Sequence, residues 1–260
     1  MAGMKIASWN INSLPVRMPR ILQFLGEVGP DVLCLQETKV RTEAFPHLEL
    51  QLAGYQAVEH SSGGRNGVAM LIRDGLTITD VVTGLPDQPN PDEARWIQAT
   101  VEGVGVASVY VPNGRSLSDP AFVDKLSFLR RLVDQARNWT DVPAVIAGDL
   151  NIAPADADVH DPARYVNSTH TSPVERQTVT ELTQMGYVDV YRHLNPDDQQ
   201  FTWWDYRAGN FHKNIGMRID LFLGSQPLWS THTLDYLMAR DYRKGTKPSD
   251  HAPIVLTIAD

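Results

Sequence analysis

The chain has 260 residues, of which 42% are hydrophobic and 21% are charged. These proportions exclude a disordered chain and leave enough apolar material for a large core, so we expect residues 1–260 to form one domain. The formal charge of −8 argues against a protein that coats nucleic acid nonspecifically, because such proteins are usually basic. A nucleic-acid partner would therefore need a local basic surface.

Particular features of the sequence exclude further classes. No apolar stretch approaches the roughly 18 residues that a membrane-spanning helix needs, so no membrane partner is expected. The first residues, Met1–Trp9, lack a separate apolar segment and a small-residue cleavage site, which predicts a cytoplasmic protein without a secretory signal. The single cysteine, Cys34, lies in the apolar run Val32–Leu35 and is expected to be a core side chain rather than a zinc ligand.

Short apolar runs along the chain predict strands, and three longer patterns predict helices. The predicted strands are Lys5–Trp9, Asp31–Gln36, Gly67–Ile72, Thr77–Val82, Arg95–Val101, Val104–Tyr110, Pro143–Ala147, Arg218–Leu223 and Ala252–Ile258. The predicted helices are Pro19–Val28, Pro120–Asn138 and Pro173–Gly186. Each helix is expected to begin with its proline in the first turn, where a missing N–H costs nothing. Asp119 can cap the second helix, and Ser172 with Glu175 forms a capping box for the third.

The order of these elements predicts an α/β fold in which sheets and helices form layers, because many strands alternate with few helices. The polar, Pro- and Asp-rich segment Asp156–Thr171 reads as a long surface loop. It is not expected to divide two domains, since core-like patterns continue on both sides.

Several predicted strands end abruptly in carboxylates or carboxamides. The residues that follow such strands are Asn10 with Asn12, Glu37, and Asp149 with Asn151. Two further groups adjoin strands, since Asp220 is embedded in the strand Arg218–Leu223 and Asp250 with His251 comes just before the last predicted strand. An ionised group at the edge of a core costs several kcal/mol unless it is paired or bound to a cation. Because α/β sheets place their functional sites at strand ends, we expect these side chains to converge on one site.

The chemistry of such a site follows from its donors, which are mostly oxygen atoms. Hard oxygen ligands select Mg²⁺ or Mn²⁺ rather than zinc. A divalent cation, a histidine beside an aspartate, and neutral amide donors together suit the attack of water on a phosphate ester.

Seven sequence blocks occur in an order and spacing that resemble the exonuclease III family of apurinic/apyrimidinic (AP) endonucleases. The blocks are Trp9–Asn12, Leu35–Lys39, Val109–Gly114, Gly148–Asn151, Phe201–Arg207, Arg218–Asp220 and Ser249–Pro253. They span nearly the whole chain. The resemblance implies a DNase I-like fold of the endonuclease/exonuclease/phosphatase superfamily, a four-layer α/β sandwich of two mixed sheets flanked by helices.

The resemblance also implies a metal site that binds Mg²⁺, for which Mn²⁺ can substitute. Glu37 matches the principal metal ligand of the family. The other residues that match the metal neighbourhood are Asn10, Asn12, Asp149, Asn151, Asp250 and His251. Asp250 could instead brace its loop.

The catalytic roles implied by the resemblance fall on five residues. Asp149 matches the aspartate that activates or positions the attacking water, Asn151 matches a donor to the scissile phosphate, and Tyr110 matches a phenol that contacts it. His251 matches the essential histidine, and Asp220 its carboxylate partner. The residues leave either Asp149 or His251 open as the base; we favour Asp149, because a histidine held by an aspartate tends to stay protonated.

Candidate DNA contacts come from loops near these blocks. The residues are Asn113, Arg115, Trp203, Arg207, Phe211, Met217, Arg243 and Lys244. Aromatic side chains beside arginines can stack on bases or wedge a duplex, and basic loops contact phosphates. Met217 stands where some relatives have tryptophan and others leucine, in a region that shapes the pocket for a base-free sugar, so the balance between AP incision and 3′ exonuclease activity stays open.

The implied function is a Mg²⁺-dependent DNA-repair phosphodiesterase that cleaves duplex DNA 5′ to abasic sites and leaves a 3′-hydroxyl. It is expected also to act as a 3′–5′ exonuclease or to trim 3′ ends, with no obligatory protein partner. Two alternatives are a related phosphoesterase acting on RNA or a phosphorylated small molecule, and an inactive DNA-binding scaffold. A scaffold fits less well, because it need not retain every acid and the histidine.

Overall fold

The computed structural model of the protein describes residues 3–259. Its strands are β1 (Met4–Asn10), β2 (Val32–Gln36), β3 (Tyr55–His60), β4 (Val68–Arg73), β5 (Ile78–Thr83), β6 (Trp96–Val101), β7 (Val104–Tyr110), β8 (Ala144–Asp149), β9 (Val188–Asp189), β10 (Asp220–Gly224), β11 (Thr233–Met238) and β12 (Ile254–Ala259). Its α-helices are α1 (Leu14–Glu27), α2 (His47–Leu52), α3 (Pro120–Ala136), α4 (Pro173–Gln184), α5 (Val190–Leu194) and α6 (Gln226–Thr231).

The strands form two six-stranded sheets. The first has the order β11-β12-β1-β2-β4-β3, and the second has the order β5-β6-β7-β8-β10-β9. Both sheets are mixed, because β1 pairs with β2 and β7 pairs with β8 in parallel, while their other neighbours are antiparallel.

Apolar side chains bury both faces of each sheet. Ile6 and Met70 of the first sheet share one core cluster with Val145 and Phe222 of the second, so the two sheets pack face to face. The outer face of the first sheet packs against α1, and that of the second packs against α3 and α4. All five residues of β2 are buried, as expected for a strand covered on both sides. The result is the predicted four-layer α/β sandwich.

The predicted elements agree with the structure in position, with one error at a helix start. Helix α1 begins at Leu14, so Pro15 lies in the first turn and Pro19 lies inside the helix, where it removes one hydrogen bond. The N-cap of Asp119 is confirmed by a 2.9 Å hydrogen bond from the Ala121 amide. The capping box of Ser172 is confirmed as well.

Three strands and three helices were not predicted. Strands β3 and β11 lie at sheet edges with partly exposed side chains, and β9 has two residues. The helices α2, α5 and α6 have five or six residues each. Such short or half-exposed elements carry little hydrophobic periodicity. None of the α-helices within residues 3–259 combines the length and the hydrophobicity that a membrane-spanning helix requires.

The topology brings polar strand ends of both sheets together. The parallel strands β1 and β2 end side by side at Asn10 and Gln36, and β7 and β8 end side by side at Tyr110 and Asp149. Strand β10 runs antiparallel to β8 and begins at Asp220, directly opposite Asp149. The sandwich therefore presents these groups at one edge.

Candidate active site

A cavity of about 210 Å³ opens at this edge of the sandwich. Its lining residues are Glu37, Tyr110, Asn113, Asp149, Asn151, His170, Trp203, Met217, Ile219, Asp250 and His251. Most of the residues predicted for the site therefore surround one pocket. Asn10, Asn12 and Asp220 lie behind its wall and hydrogen-bond to residues that line it.

The carboxamide of Asn10 connects the two central carboxylates. Its Nδ2 donates to Glu37 Oε1 and to Asp149 Oδ2, both at 2.9 Å. Donor atoms of Glu37, Asp149 and His251 lie within 4.8 Å of one another. The two carboxylates fit a hard divalent cation, because they place oxygen donors of opposite sheets on one small volume.

The carboxyl group of Asp149 is almost completely buried, with 2% of the residue exposed. Burial raises its pKa to about 7, against the opposing effect of nearby His251. A carboxyl whose pKa lies near neutrality can accept a proton in the working pH range, which is the property of a general base.

The imidazole of His251 lies between two aspartates. Its Nδ1 is 2.9 Å from Asp220 Oδ2, and its Nε2 is 3.7 Å from Asp149 Oδ2. Burial alone would lower its pKa, but the carboxylates of Asp220 and Asp149 raise the pKa of His251 to about 10. The ring is therefore an imidazolium at neutral pH, with Asp220 fixing its orientation.

Tyr110 and Asn151 line the pocket from the second sheet. Burial, together with the charges of Glu37 and Asp149, raises the pKa of the Tyr110 phenol well above its ordinary value. The guanidinium of Arg95 lies 4.8 Å from the centre of the Tyr110 ring. Asn151 has a left-handed backbone (φ 50°), so it does not continue β8 in extended form. Its backbone N–H donates to Asp149 Oδ1 at 2.9 Å.

A second oxygen-rich group lies beside the first. Asn12 Nδ2 donates to Asp250 Oδ1 at 3.0 Å, and the Trp203 indole donates to the other oxygen of Asp250 at 3.0 Å. Although burial opposes it, His251 and these two hydrogen bonds lower the pKa of Asp250, so the carboxylate is ionised. Lys39 joins the two groups, because its Nζ contacts Asn12 Oδ1 at 2.6 Å and Glu37 Oε2 at 2.7 Å.

The residues predicted to contact DNA differ in exposure. Arg115, Arg207 and Lys244 are exposed and pair with acidic residues of their own segments. Phe211 is 7% exposed and packs against Trp204, which is completely buried.

Arg243 points into the protein and differs in this from its neighbour Lys244. It is 6% exposed, and its guanidinium donates to the Trp204 carbonyl at 3.1 Å. It also lies over the rings of Tyr206 and Phe211. The buried members Phe211 and Arg243 therefore support the loops that carry the exposed ones.

His170 lines the pocket and was not predicted. Its Nε2 lies 3.0 Å from Asn151 Oδ1 and 3.1 Å from Asn113 Nδ2. Burial and the nearby Lys125 ammonium lower its pKa to about 4, so the ring is neutral. The Pro- and Asp-rich loop that contains it has no periodic pattern, and local sequence gave no signal for its role. Ile219, also not predicted, follows Met217 on the apolar wall.

Comparisons with known proteins match this chain over the segment that contains the residues of the pocket. The model of the Endonuclease/Exonuclease/phosphatase family matches residues 7–251. Exodeoxyribonuclease III of Haemophilus influenzae is 34% identical, over 96% of this chain and 98% of its own. A 3′ phosphatase from Neisseria, solved bound to a product DNA hairpin, superposes with a TM-score of 0.95 at 38% identity, covering 99% of this chain and 100% of the other. An AP endonuclease from Archaeoglobus fulgidus superposes with a TM-score of 0.92 at 35% identity, covering 98% and 99%.

Proposed function

Since the chain belongs to the endonuclease/exonuclease/phosphatase family, as a DNA-repair nuclease of the exodeoxyribonuclease III type, we propose that its pocket hydrolyses phosphate esters in damaged duplex DNA with Mg²⁺. One observation carries this proposal: the buried Asp149 is bridged by Asn10 to Glu37 and faces the imidazolium of His251. A base, a cation site and a charged hydrogen-bond donor thus adjoin one another. The predicted cytoplasmic location and the absence of an obligatory protein partner stay predictions.

The proposed cation site comprises Glu37 and Asp149, with Asn10 holding both carboxylates in place. The donor set is dominated by oxygen, which favours Mg²⁺ and allows Mn²⁺. A bound divalent cation would offset negative charge on the phosphate and on the leaving oxygen. The pair Asn12 and Asp250 is the proposed outer part of this site.

The chain's own residues supply the remaining chemistry. We assign Asp149 to hold the attacking water and to accept its proton. His251 keeps its own proton and donates a hydrogen bond to a phosphate oxygen, because Asp220 stabilises its charged form. Asn151 and Tyr110 donate to the same phosphate from the opposite wall. Neutral donors suit this role, since they bind oxygen atoms without adding charge to the site.

The pocket wall supports incision at abasic sites as the first candidate activity. Met217, Ile219 and Trp203 line the pocket and belong to one apolar cluster. An apolar surface beside a phosphate site suits a sugar that has lost its base, because a normal nucleotide would place a bulky polar base there. Cleavage 5′ to that sugar would leave a 3′-hydroxyl.

Cleaning of 3′ ends is a second candidate, and the position of His170 favours it. The ring stands in the pocket beside the carboxamides of Asn151 and Asn113 and narrows the space around them. A terminal phosphate needs less room than a sugar within a continuous strand. The similar Neisseria structure is itself described as a 3′ phosphatase.

Product analysis separates these candidates. One duplex would carry an internal abasic analogue, a second a nick with a 3′-phosphate, a third a nick with a 3′-hydroxyl, and a fourth no lesion. RNA and a phosphorylated sugar would serve as competitors. We expect Mg²⁺-dependent cleavage of at least one lesion duplex, abolished by EDTA and restored by Mg²⁺ or Mn²⁺. Turnover that persists in EDTA, or preference for RNA or the sugar, would contradict the proposal.

A further inference from the structure

A buried ion pair lies beneath the pocket floor and does not line the pocket. Lys125 comes from α3 and Glu175 from the first turn of α4. Lys125 Nζ and Glu175 Oε1 are 2.5 Å apart, and neither side chain is exposed to solvent. The roles proposed above for the reaction use neither residue.

The ammonium of Lys125 ties three separate loops together. It donates to the backbone carbonyl of Asn151 at 2.7 Å, to the backbone carbonyl of Asn113 at 3.3 Å and to Thr169 Oγ1 at 3.3 Å. Two of these loops carry the pocket carboxamides, and the third precedes His170. A single charged group therefore holds two backbone carbonyls and the Thr169 hydroxyl around the proposed phosphate site.

The carboxylate of Glu175 holds the third loop from the other side. Its Oε1 accepts from the His170 amide at 2.8 Å and from Thr169 Oγ1 at 2.9 Å, and its Oε2 accepts from Ser172. Thr169 Oγ1 also lies 3.0 Å from the Asn113 carbonyl. Apart from their contact with each other, Lys125 and Glu175 thus make their hydrogen bonds to these loops.

Two features indicate that this pair acts on position rather than on stability. A buried ion pair is a weak source of stability, because well-packed apolar residues of similar volume often replace it without loss. The loops it holds contain left-handed backbone at Asn151 (φ 50°) and His170 (φ 75°), a conformation that is uncommon outside glycine although Asn and His adopt it more readily than most residues. Such conformations persist only where surrounding contacts fix them.

We propose that Lys125 and Glu175 form a positioning pair, which sets the carboxamides of Asn113 and Asn151 and the ring of His170 for the phosphate. The inference rests on the proposed function, because Asn151 is assigned there to phosphate binding and the side chains of Asn113 and His170 lie within hydrogen-bond distance of its carboxamide. Small displacements of such groups reduce turnover more than they reduce substrate binding.

The test replaces both charges at once, so that no unpaired charge stays buried. In the double variant Lys125→Met/Glu175→Gln, the glutamine keeps an oxygen for the His170 amide while the ammonium bonds are lost. We expect kcat to fall about 10- to 100-fold, with KM within about threefold of the wild type, on whichever lesion duplex the wild type cleaves. A milder variant, Thr169→Val, keeps the ion pair and should lower kcat about threefold.

The matched control is Leu132→Ala, which destabilises the same helix at a fully buried position in the core cluster between α3 and the second sheet. Its kcat should match that of the wild type at a temperature where all variants are folded, as judged by circular dichroism. Side-chain amide signals of Asn113 and Asn151 in ¹H–¹⁵N spectra should shift in the double variant and in Thr169→Val, but not in the control.

A folded double variant with kcat within twofold of the wild type would overturn the inference, as would a raised KM with unchanged kcat. If the double variant does not fold, unchanged kcat and amide signals in Thr169→Val would overturn it equally. A wild type that cleaves no duplex would refute the proposed function instead, and the amide spectra would still decide whether the pair fixes the carboxamides.

Discussion

At the scale of single residues, Asp149 and His251 define a pH window for the reaction. Asp149 must be ionised to accept a proton, and its pKa is about 7. His251 must be protonated to donate, and its pKa is about 10. The two conditions hold together between these values. A bound cation would widen the window on the acidic side, because it favours the carboxylate.

The first prediction concerns the upper limit of that window. In Asp220→Asn the carboxylate that raises the His251 pKa is lost, so the alkaline limb of the kcat profile should move to lower pH. Profiles of wild type and variant between pH 5.5 and 10.5, in saturating Mg²⁺, measure this shift. An unchanged alkaline limb would show that Asp220 does not hold the proton on His251.

The same shift makes a prediction about stability. The folded pKa of His251, about 10, lies above its unfolded value of about 6.5. Its contribution to the free energy of unfolding is therefore complete below pH 6.5 and is lost as pH rises through 10. Urea denaturation of the metal-free protein from pH 6 to 10.5 should show this loss in the wild type and a smaller one in His251→Gln.

The next prediction tests the proposed base. Asp149→Asn keeps the shape of the side chain but removes its basicity, so kcat should fall by a factor of about 10³ or more. Binding of a lesion duplex, measured in Ca²⁺ by fluorescence anisotropy, should stay within a few-fold. Asp156→Asn is the matched control, since it neutralises an exposed aspartate that does not line the pocket. The Asp156 carboxylate lies 2.8 Å from the Arg176 guanidinium. Substantial turnover by Asp149→Asn would assign the base elsewhere.

How much of the site the sequence reveals depends on how each residue is held. Glu37 and Asp149 lie at the ends of strands and His251 lies just before one, all within recognisable blocks, so both their position and their convergence could be predicted. His170 could not, because its loop is held by Lys125, which contacts Thr169 across 44 residues of sequence, and no local pattern records that contact. The burial of Arg243 depends in the same way on aromatic rings contributed by another loop.

At the scale of elements, Gly148 determines how closely two strands approach each other. It lies inside β8 with φ 151°, and a Cβ there would be 2.0 Å from the Val109 carbonyl oxygen of the parallel strand β7. The glycine therefore permits close approach of two strands, which places Tyr110 beside Asp149.

A glycine pair tests this explanation. Gly148→Ala should lower the free energy of unfolding by about 3 kcal/mol or more, since neither backbone nor strand pairing can make room. Gly26→Ala is the control, because no atom lies within 4 Å of the added methyl in α1, and it should raise stability by about 0.5–1 kcal/mol. Guanidinium denaturation measures both. A loss below 1 kcal/mol in Gly148→Ala would mean that the strands separate easily.

The fold itself was predictable at this scale because covered strands carry continuous apolar runs. Strand β2 is buried along its whole length, and the apolar run Val32–Leu35 in its sequence predicts this burial. Strand β11 lies at the edge of the first sheet, where Leu234, Tyr236 and Met238 pack against the core and alternate with exposed residues, so it lacks the continuous apolar run by which the covered strands were predicted. The predicted start of α1 at Pro19 was wrong because Pro15 and Pro19 both fit the preference for proline in the first turn of a helix. Packing of Leu14 and Met18 into the core shows that the helix begins before Pro15.

At the scale of the whole molecule, the charge of −8 must be reconciled with an anionic substrate. Long-range attraction from the total charge is absent, so binding must rely on exposed cations near the pocket and on the cation at the acidic centre. Arg115 follows Asn113 of the pocket wall, and its side chain is 72% exposed beside Asp119.

The last prediction separates local from total charge. Arg115→Gln and Arg130→Gln change the net charge equally, but Arg130 lies on the exposed face of α3, outside the pocket lining. If Arg115 contacts a phosphate, its variant should weaken duplex binding and reduce the slope of log Kd against log salt by about 1, while Arg130→Gln changes neither. Anisotropy titrations between 50 and 200 mM salt measure these slopes. Equal effects of both variants would mean that total charge, rather than the surface around the pocket, governs binding.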